Sequence, residues 1–211
     1  MKIIAHRGND EVHKENSLEA ILNSLSKSYI DGIEIDIRMT KDYNFIIHHN
    51  PFFVGYYIKK TKIKRLQKKG LNSLEEVLKQ IKSDKIIMIE IKEESDKYKL
   101  LLLRLNKILK KYPLNYYLCS FNYNLIKYLK NKYSQYKAGL IIGYKINENY
   151  LHNNFDFSSV NYKLTPIKTN KETFIWTVNK KELLNKIADN QNIITDKAKE
   201  ISKFINVEKL L

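Results

Sequence analysis

The stretch "DGIEIDIRMT", residues 31–40, carries the pattern that decides the fold. Its isoleucines alternate with Glu34 and Asp36, so a β-strand would place the apolar side chains on one face and both carboxylates on the other. The apolar face is typical of a strand covered by helices. The opposite face predicts a pair of carboxylates that point away from those helices.

Short apolar runs of this kind alternate with longer amphipathic stretches along the chain, a pattern typical of an α/β fold with a parallel sheet. Strands are predicted at residues 2–6, 32–38, 85–92, 116–120, 138–142, 157–161, 173–178 and 192–195. Helices are predicted at residues 17–28, 73–81, 95–111, 122–132, 180–189 and 197–211, with weakly helical crossovers near 143–154 and 162–171. Ser73 with Glu76 three residues later forms a capping-box pattern, and Asn179 precedes the helix predicted at 180–189.

Eight predicted strands with intervening helices indicate a small (β/α)8 barrel, and 211 residues is near the lower size limit of that fold. An open doubly wound sheet is the rival fold. No glycine-rich loop follows the first strand, which disfavours a nucleotide-binding version of the rival. We therefore expect one barrel domain over residues 1–211, with a short basic excursion at about 52–70 whose stretch 58–70 is an exposed loop.

Charge and cysteine content narrow the class of protein. The formal net charge of +15 would attract anions and predicts weak association with an anionic membrane surface. No motif for nucleic-acid binding is present, so nucleic acid is not an expected partner. The chain has no apolar stretch of membrane-span length, no signal-peptide pattern and a single cysteine, so we expect a cytoplasmic protein without an internal disulfide. Its oligomeric state has no signature in the sequence.

Functional side chains gather at the predicted ends of the first three strands. His6 and Arg7 end the first strand in "IIAHRGND", and Glu90 and Lys92 share one face of "IIMIEIK", residues 86–92. The active sites of barrels lie at the carboxyl ends of their strands. Together with the carboxylate pair at residues 34 and 36, Glu90 would complete a three-carboxylate site suited to Mg²⁺ or Ca²⁺. The alternative is that basic residues pair with the carboxylates and no metal binds.

Two adjacent histidines follow the second strand in "TKDYNFIIHHN", residues 40–50. The segment is interpreted as a turn and a short extended run that ends at His48 and His49. Alternation turns these two side chains in opposite directions, so only one of them faces the barrel mouth. With His6 on the other side, that histidine would serve as one member of a general acid and general base pair.

In this order the motifs resemble the glycerophosphodiester phosphodiesterases, (β/α)8 barrels that cleave glycerophosphodiesters to glycerol 3-phosphate and an alcohol with a divalent metal. The resemblance extends over nearly the whole chain. It rests on His6-Arg7-Gly8, "KENS" at 14–17, the Glu-x-Asp strand, Thr40 and Asp42 followed by His49, "LNSLEEVL" at 71–78, "IEIK" at 89–92, "SFN" at 120–122, "WTVN" at 176–179 and "IITD" at 193–196.

The resemblance implies a role for each matched residue. It assigns acid and base catalysis to His6 and His49, metal ligation to Glu34, Asp36 and Glu90, phosphate contacts to Arg7 and Lys92, and a place in the substrate channel to Trp176. An ordinary core tryptophan is the alternative for Trp176. The resemblance also implies that the 2-hydroxyl of the substrate's own glycerol attacks phosphorus first and forms a cyclic phosphate, which water then opens.

The chain departs from the family pattern at three places. Lys14 replaces a proline, Asn50 replaces an aspartate beside His49, and the excursion after the second strand is short and rich in lysine. The preferred alcohol therefore does not follow from the resemblance. Two alternatives remain: a phospholipase D-like enzyme acting on lysophospholipid or sphingolipid headgroups, and a catalytically lapsed barrel that only binds a phosphorylated ligand.

Overall fold

A computed structural model describes residues 1–93, 97–145 and 154–208 of the chain. The strands within these ranges are β1 (Ile3–Ala5), β2 (Gly32–Met39), β3 (Phe45–Ile47), β4 (Phe52–Phe53), β5 (Tyr56–Tyr57), β6 (Ile86–Ile91), β7 (Asn115–Ser120), β8 (Lys137–Ile142), β9 (Phe157–Asn161), β10 (Glu172–Trp176) and β11 (Asn192–Thr195). The helices are α1 (Leu18–Leu25), α2 (Ile63–Gln67), α3 (Leu74–Gln80), α4 (Tyr98–Leu109), α5 (Tyr123–Lys132) and α6 (Ala198–Glu208). Short 3₁₀ turns occur at His6–Gly8, Ile58–Lys60, Tyr162–Leu164 and Lys181–Lys186.

Eight parallel strands close into a barrel in the order β1, β11, β10, β9, β8, β7, β6 and β2, and β1 also pairs with β2. The predicted (β/α)8 barrel is thus confirmed, and each of its eight strands lies where the sequence pattern predicts it. β3 is a short additional strand that pairs antiparallel with β2. It turns the chain back toward the barrel mouth and so brings the two adjacent histidines there.

The apolar side chains divide into a core outside the barrel and a smaller core inside it. The outer core lies between strands and helices and contains all three isoleucines of the opening stretch. The inner core is the set Ile4, Ile86, Met88, Tyr117, Cys119, Ile141, Phe157, Phe174 and Ile194. Because these side chains fill the barrel interior, the polar residues at the carboxyl ends of the strands form the floor of an open cavity above them.

Helix starts follow the capping chemistry of the sequence. The Ser73 hydroxyl accepts a hydrogen bond from the backbone N–H of Glu76, and the Glu76 carboxylate accepts one from the backbone N–H of Ser73. The predicted capping box is therefore confirmed. Ser17 and Asn122 cap α1 and α5 in the same way, each with a side-chain oxygen that accepts from a backbone N–H in the first turn.

The helix predicted at 180–189 is wrong, because the structure has only the 3₁₀ turn Lys181–Lys186 there. Asn179 does not cap it: its side-chain oxygen accepts from the backbone N–H of Asp196, and its amide donates to the Asp196 carboxylate. With that side chain engaged elsewhere, the turn begins without a side-chain cap.

The predicted exposed loop at 58–70 is also corrected, because the segment contains a 3₁₀ turn and α2. Its apolar residues Ile58 and Leu66 are buried against Ile46, which anchors a segment that looks uniformly basic in the sequence. The predicted crossover at 143–154 falls largely on residues 146–153, which lie outside the described residues. The helix predicted at 95–111 begins within the undescribed residues 94–96, and the helix predicted at 197–211 ends within the undescribed residues 209–211. Within the described ranges, no helix has the length and hydropathy that a membrane span requires.

Candidate active site

A cavity of about 370 Å³ opens at the carboxyl ends of the barrel strands. The predicted site residues that line it are His6, Arg7, Glu34, His49, Glu90, Lys92 and Trp176. Asp36, the remaining predicted site residue, lies just beneath the surface of the cavity and is 1% exposed. Residues from distant parts of the chain therefore meet in one place, as the parallel topology requires.

Three carboxylates form the acidic floor of this cavity. Glu34 and Asp36 lie on β2, and Glu90 lies opposite Asp36 in the register of β2 with β6. One oxygen atom from each of the three lies within 4.8 Å of the others. The amino group of Lys92 lies 3.0 Å from Asp36 and 2.6 Å from Glu90. The expectation that these four side chains come together is correct.

The three carboxyl groups differ in their affinity for protons. Burial, together with the charge of Asp36, raises the pKa of Glu34 to about 8. Burial also raises the pKa of Glu90, although Lys92 opposes that shift. At Asp36 burial acts in the same direction, but the charge of Lys92 and a hydrogen bond from Asn16 lower its pKa overall. Lys92 thus balances part of the acidic charge, and the raised pKa of Glu34 has the direction expected for a carboxyl group buried beside another carboxylate.

This donor set fits a hard divalent cation. It offers three carboxylates within reach of a single ion, and oxygen atoms are the ligands that Mg²⁺ and Ca²⁺ prefer. The alternative of charge pairing without metal describes the Lys92 contacts to Asp36 and Glu90. At Glu34 the same pairing would involve His6, whose Nε2 lies 3.9 Å from Oε2, and that oxygen also accepts a hydrogen bond from the backbone N–H of Arg7.

Arg7 lies at the cavity in a left-handed backbone conformation, with φ of 53°. Its guanidinium donates to Glu15 at 2.8 Å, and its Nε lies 3.5 Å from the Asp36 carboxylate. The side chain is 20% exposed and faces the same space as Lys92. The two cations could therefore both contact an anion held over the carboxylates.

Asn16, within the "KENS" segment, contacts two of the predicted site residues, and the sequence suggested no role for it. Its amide donates to the Asp36 carboxylate at 2.9 Å, its side-chain oxygen lies 3.3 Å from the backbone nitrogen of Asp36, and its own N–H donates to the carbonyl of Arg7. Asn16 is 6% exposed and has φ of 60°, a conformation that asparagine tolerates better than most residues. It fixes Asp36 relative to the loop that carries Arg7.

His6 is held by a chain of hydrogen bonds from the last strands of the barrel. Its Nδ1 donates to the Asp196 carboxylate at 2.7 Å, and the other oxygen of Asp196 accepts from the amide of Asn179 at 2.7 Å. Burial alone would lower the pKa of His6, but the hydrogen bond to Asp196 and the charge of Glu34 raise it overall. The contact leaves Nε2 of His6 directed to Glu34. Asp196 and Asn179 thus belong to the hydrogen-bond network of the candidate site, and the sequence marked them only as parts of "IITD" and "WTVN".

The two adjacent histidines separate as alternation predicts. His49 lines the cavity, whereas Nε2 of His48 lies 3.3 Å from the carbonyl of Phe52 and its ring packs edge-on against Phe53. Nδ1 of His49 donates to the side-chain oxygen of Asn50 at 3.0 Å. Burial and the nearby charges of Lys92 and Arg7 lower the pKa of His49. Asn50 therefore supplies the hydrogen-bond acceptor that an aspartate would supply, without its negative charge.

Trp176 forms part of the apolar wall of the cavity. Its ring meets Phe121 edge-on at 6.2 Å and also packs against the inner core. Phe121 is 50% exposed at the mouth. Trp176 is therefore both a packing residue and a lining residue, so the two alternatives expected for it are not exclusive.

Comparison with known proteins relates this site to one family. Residues 6–89 match the family model described as the glycerophosphoryl diester phosphodiesterase family. An uncharacterised protein of Mycoplasma genitalium is 29% identical over 164 residues, which is 68% of this chain and 69% of that protein.

Solved structures share the fold over almost the whole chain. A phosphodiesterase from Oleispira antarctica, in complex with the product sn-glycerol-3-phosphate, has a TM-score of 0.84 and 18% identity, over 98% of this chain and 97% of that one. A glycerophosphodiester phosphodiesterase from Thermotoga maritima has a TM-score of 0.76 and 24% identity, over 97% of each chain. At these identities the likeness establishes the barrel fold.

Proposed function

We propose that this chain belongs to the glycerophosphoryl diester phosphodiesterase family, whose model matches residues 6–89, and that it hydrolyses glycerophosphodiesters to glycerol 3-phosphate and an alcohol with one divalent cation. The observation that carries the proposal is the cavity that combines three carboxylates, two cationic side chains and two histidines. The product bound by the Oleispira phosphodiesterase, which has the same fold, supports this substrate class.

Glu34, Asp36 and Glu90 would hold the cation, Mg²⁺ or Ca²⁺, and the bound ion would offset negative charge on the phosphoryl group and its glycerol. Arg7 and Lys92 line the same cavity. We assign them to the non-bridging phosphate oxygens, where they would stabilise charge that grows in the transition state. Trp176 and Phe121 would bound the substrate on its apolar side.

We assign the two proton transfers to His6 and His49. Each has its Nδ1–H engaged, with Asp196 and with Asn50, so each has its Nε2 available for exchange with a substrate. One imidazole would accept the proton of the attacking hydroxyl. The other would donate a proton to the departing alcohol, so that no alkoxide has to leave unprotonated.

We propose the glycerol 2-hydroxyl of the substrate as the first nucleophile. Its oxygen would form a bond to phosphorus as the bond to the alcohol breaks, and water would then open the cyclic phosphate. An internal hydroxyl is already held close to phosphorus, so its attack avoids much of the entropic cost of capturing a separate water. Ser159 and Thr177 also line the cavity, but within the described residues neither hydroxyl has a hydrogen bond to a histidine or a carboxylate that would activate it. Burial raises the pKa of the Cys119 thiol well above its ordinary value.

The experiment measures choline release from glycerophosphocholine and from an analogue with ethylene glycol in place of glycerol. The unaltered enzyme loaded with metal should cleave the first and leave the analogue nearly intact. His6→Ala and His49→Ala should each lower kcat by about 10²- to 10⁴-fold, the usual contribution of a general acid or base. His48→Ala is the matched control and should keep most of the activity, because His48 does not line the cavity.

Equal rates on the two substrates would show that water attacks directly. Full activity after exhaustive chelation would overturn metal dependence. A folded protein that binds glycerol 3-phosphate but releases no choline with either metal would identify the lapsed barrel.

The phospholipase D-like alternative has one observation in its favour. Phe121 is half-exposed at the mouth of the cavity, where it could contact an acyl chain of a lysophospholipid. Lysophosphatidylcholine, assayed beside glycerophosphocholine without detergent, separates the two functions, because the proposed function requires the faster release from glycerophosphocholine.

A further inference from the structure

A short hairpin directly follows His49 and exposes large apolar side chains. β4 and β5 pair Phe52 with Tyr57 and Phe53 with Tyr56. Phe53 and Tyr56 pack on the buried residues around Leu66, so one side of the hairpin is fixed to the protein. The other side is open: Phe52 is 60% exposed, and Val54 at the tip is 65% exposed.

The tip of this hairpin has an unfavourable residue for its backbone shape. Val54 and Gly55 form its two-residue loop, and both have positive φ, 46° and 76°. Such tight turns favour asparagine or aspartate followed by glycine. A β-branched residue is strained at positive φ, and a valine at an exposed tip gains nothing from burial. Both local conformation and solvent exposure therefore favour asparagine at position 54, and the chain has valine.

A strongly basic groove lies beside the hairpin. It is lined by Lys41, Lys60, Thr61, Lys62, Lys64, Arg65 and Lys68, which include no acidic residue. Aromatic rings join the groove to the hairpin, because the Arg65 guanidinium lies 4.6 Å from the Tyr56 ring and Lys60 lies 6.0 Å from the Tyr57 ring. Residues 51–74 contain no aspartate or glutamate at all.

The hairpin and the groove lie on the catalytic face of the barrel. Phe52 and Lys92 line a second cavity of about 230 Å³, and Lys92 also lines the catalytic cavity. The loop after β1 reaches the same hairpin, with the Lys14 amino group 5.3 Å from the Phe53 ring. That loop carries Val12, which is 79% exposed. Apolar tips and lysines thus surround the mouth of the site together.

We propose that the β4–β5 hairpin and the adjacent basic groove dock the protein on an anionic lipid bilayer, with Val54 and Phe52 inserted at the interface. The lysines would contact headgroup phosphates while the apolar tip leaves water, the two contributions that interfacial binding combines. This orientation turns the catalytic cavity toward the membrane. A nucleic acid or an acidic protein would satisfy the groove but would leave the tip in water. The proposal does not depend on the catalytic function.

The test is sedimentation of the full chain with vesicles of phosphatidylglycerol and phosphatidylcholine in equal parts, and with vesicles of phosphatidylcholine alone. The unaltered protein should bind the anionic vesicles much more tightly. Val54→Asn should weaken that binding by about tenfold, since it removes one inserted apolar side chain. Its melting temperature should stay equal or rise, because asparagine suits the turn. Binding and stability would thus change in opposite directions.

Two further variants complete the test. Leu103→Asn is the matched control, because Leu103 is 45% exposed on α4, outside the hairpin and the groove, and its loss should leave vesicle binding unchanged. Lys62→Gln combined with Lys64→Gln should weaken binding to anionic vesicles and leave kcat for choline release from soluble glycerophosphocholine unchanged. The proposal is overturned if the unaltered protein does not prefer anionic vesicles, or if Val54→Asn binds them as tightly as the unaltered protein does.

Discussion

At the scale of single residues, the contact between His6 and Asp196 makes a specific prediction. The Asp196 carboxylate fixes the imidazole with Nδ1 protonated and raises the pKa of His6. Asp196→Asn keeps the shape but removes the charge, so the pKa of His6 should fall. We expect kcat to fall less than in His6→Ala, KM to change little, and the limb of the pH–rate profile that reports His6 to move to lower pH.

This direction holds whether His6 acts as acid or as base, because either role depends on the same ionisation. Glu75→Gln is the control for this substitution. It also changes a carboxylate to an amide, but at an exposed ion pair with Lys111. A pH profile of Asp196→Asn that superimposes on that of the unaltered enzyme would show that Asp196 has a purely structural role.

The raised pKa of Glu34 makes metal binding depend on pH. With its pKa at about 8 in the metal-free protein, Glu34 carries a proton at pH 7 that must leave before the carboxylate can bind a cation. Affinity should therefore fall by about tenfold for each pH unit below the pKa and level off above it. Titration calorimetry in two buffers of different ionisation enthalpy measures the released proton. Glu34→Gln should bind metal weakly and without the proton release attributed to this residue.

A constant affinity between about pH 6 and pH 9 would contradict the link between proton and metal at this carboxylate. Asp36 should not show the same competition. Lys92 and Asn16 lower its pKa, so it is already ionised at neutral pH.

Period-two alternation is sufficient to place the carboxylates and one of the adjacent histidines, because it depends only on neighbours within a strand. It does not reveal Asn16 or Asp196, whose partners lie 20 and 190 residues away in the chain. One signal was available for Asp196: it ends the last strand as His6 ends the first, and these strands are neighbours in a closed barrel. Asn16 had no such signal, since it lies in a loop whose path depends on packing.

At the scale of elements, the packing of two neighbouring barrel strands depends on the absence of a side chain at Gly139. Gly139 on β8 pairs with Phe157 on β9, and a Cβ at Gly139 would come closer to the Phe157 ring than carbon atoms can approach. Phe157 is fully buried in the inner core, so its ring has little room to move. Gly139→Ala should therefore lower the free energy of unfolding by about 1–3 kcal/mol, measured by denaturant titration.

A second substitution separates this clash from a general effect of alanine. In Gly139→Ala combined with Phe157→Leu, the smaller leucine side chain should relieve the overlap. The decrease in the free energy of unfolding of the double variant should therefore be smaller than the sum of the decreases of the two single variants. Strict additivity would mean that the strand shifts and avoids the ring. Gly55→Ala is unsuitable as a control, because Gly55 has positive φ.

The elements that sequence patterns miss are those whose side chains have partners outside their own segment. The 3₁₀ turn at 181–186 has no side-chain cap, and Asn179, the predicted cap, binds Asp196 instead. The helix α2 lies in a stretch whose sequence is interpreted as a basic loop. Within residues 58–70 only two apolar residues, Ile58 and Leu66, are buried, so the apolar signal of the helix is weak. Parallel strands are easier to predict, since their burial on both faces leaves a nearly continuous apolar signal.

At the scale of the whole molecule, the closed barrel gathers cations and carboxylates at one end while the net charge of the chain is +15. A field of this kind raises the encounter rate with an anionic substrate and is screened over about 10 Å at 0.1 M salt. The part of the field that matters is the part close to the cavity. The basic groove adjoins the hairpin at its mouth, whereas the exposed lysines of α4 lie on an outer helix.

Charge position should therefore decide the salt dependence of kcat/KM. Lys60→Gln, Lys62→Gln and Lys64→Gln together should lower kcat/KM for glycerophosphoglycerol, a glycerophosphodiester with one net negative charge, at low salt and flatten its decrease as salt is added, with kcat unchanged. The control removes the same charge at Lys107, Lys110 and Lys132, exposed residues at the C-terminal ends of α4 and α5, and should follow the unaltered protein. Since both triple variants have the same net charge, a difference between them measures local attraction of the substrate. If their salt profiles coincide, the groove has no role in substrate capture, and only total charge matters.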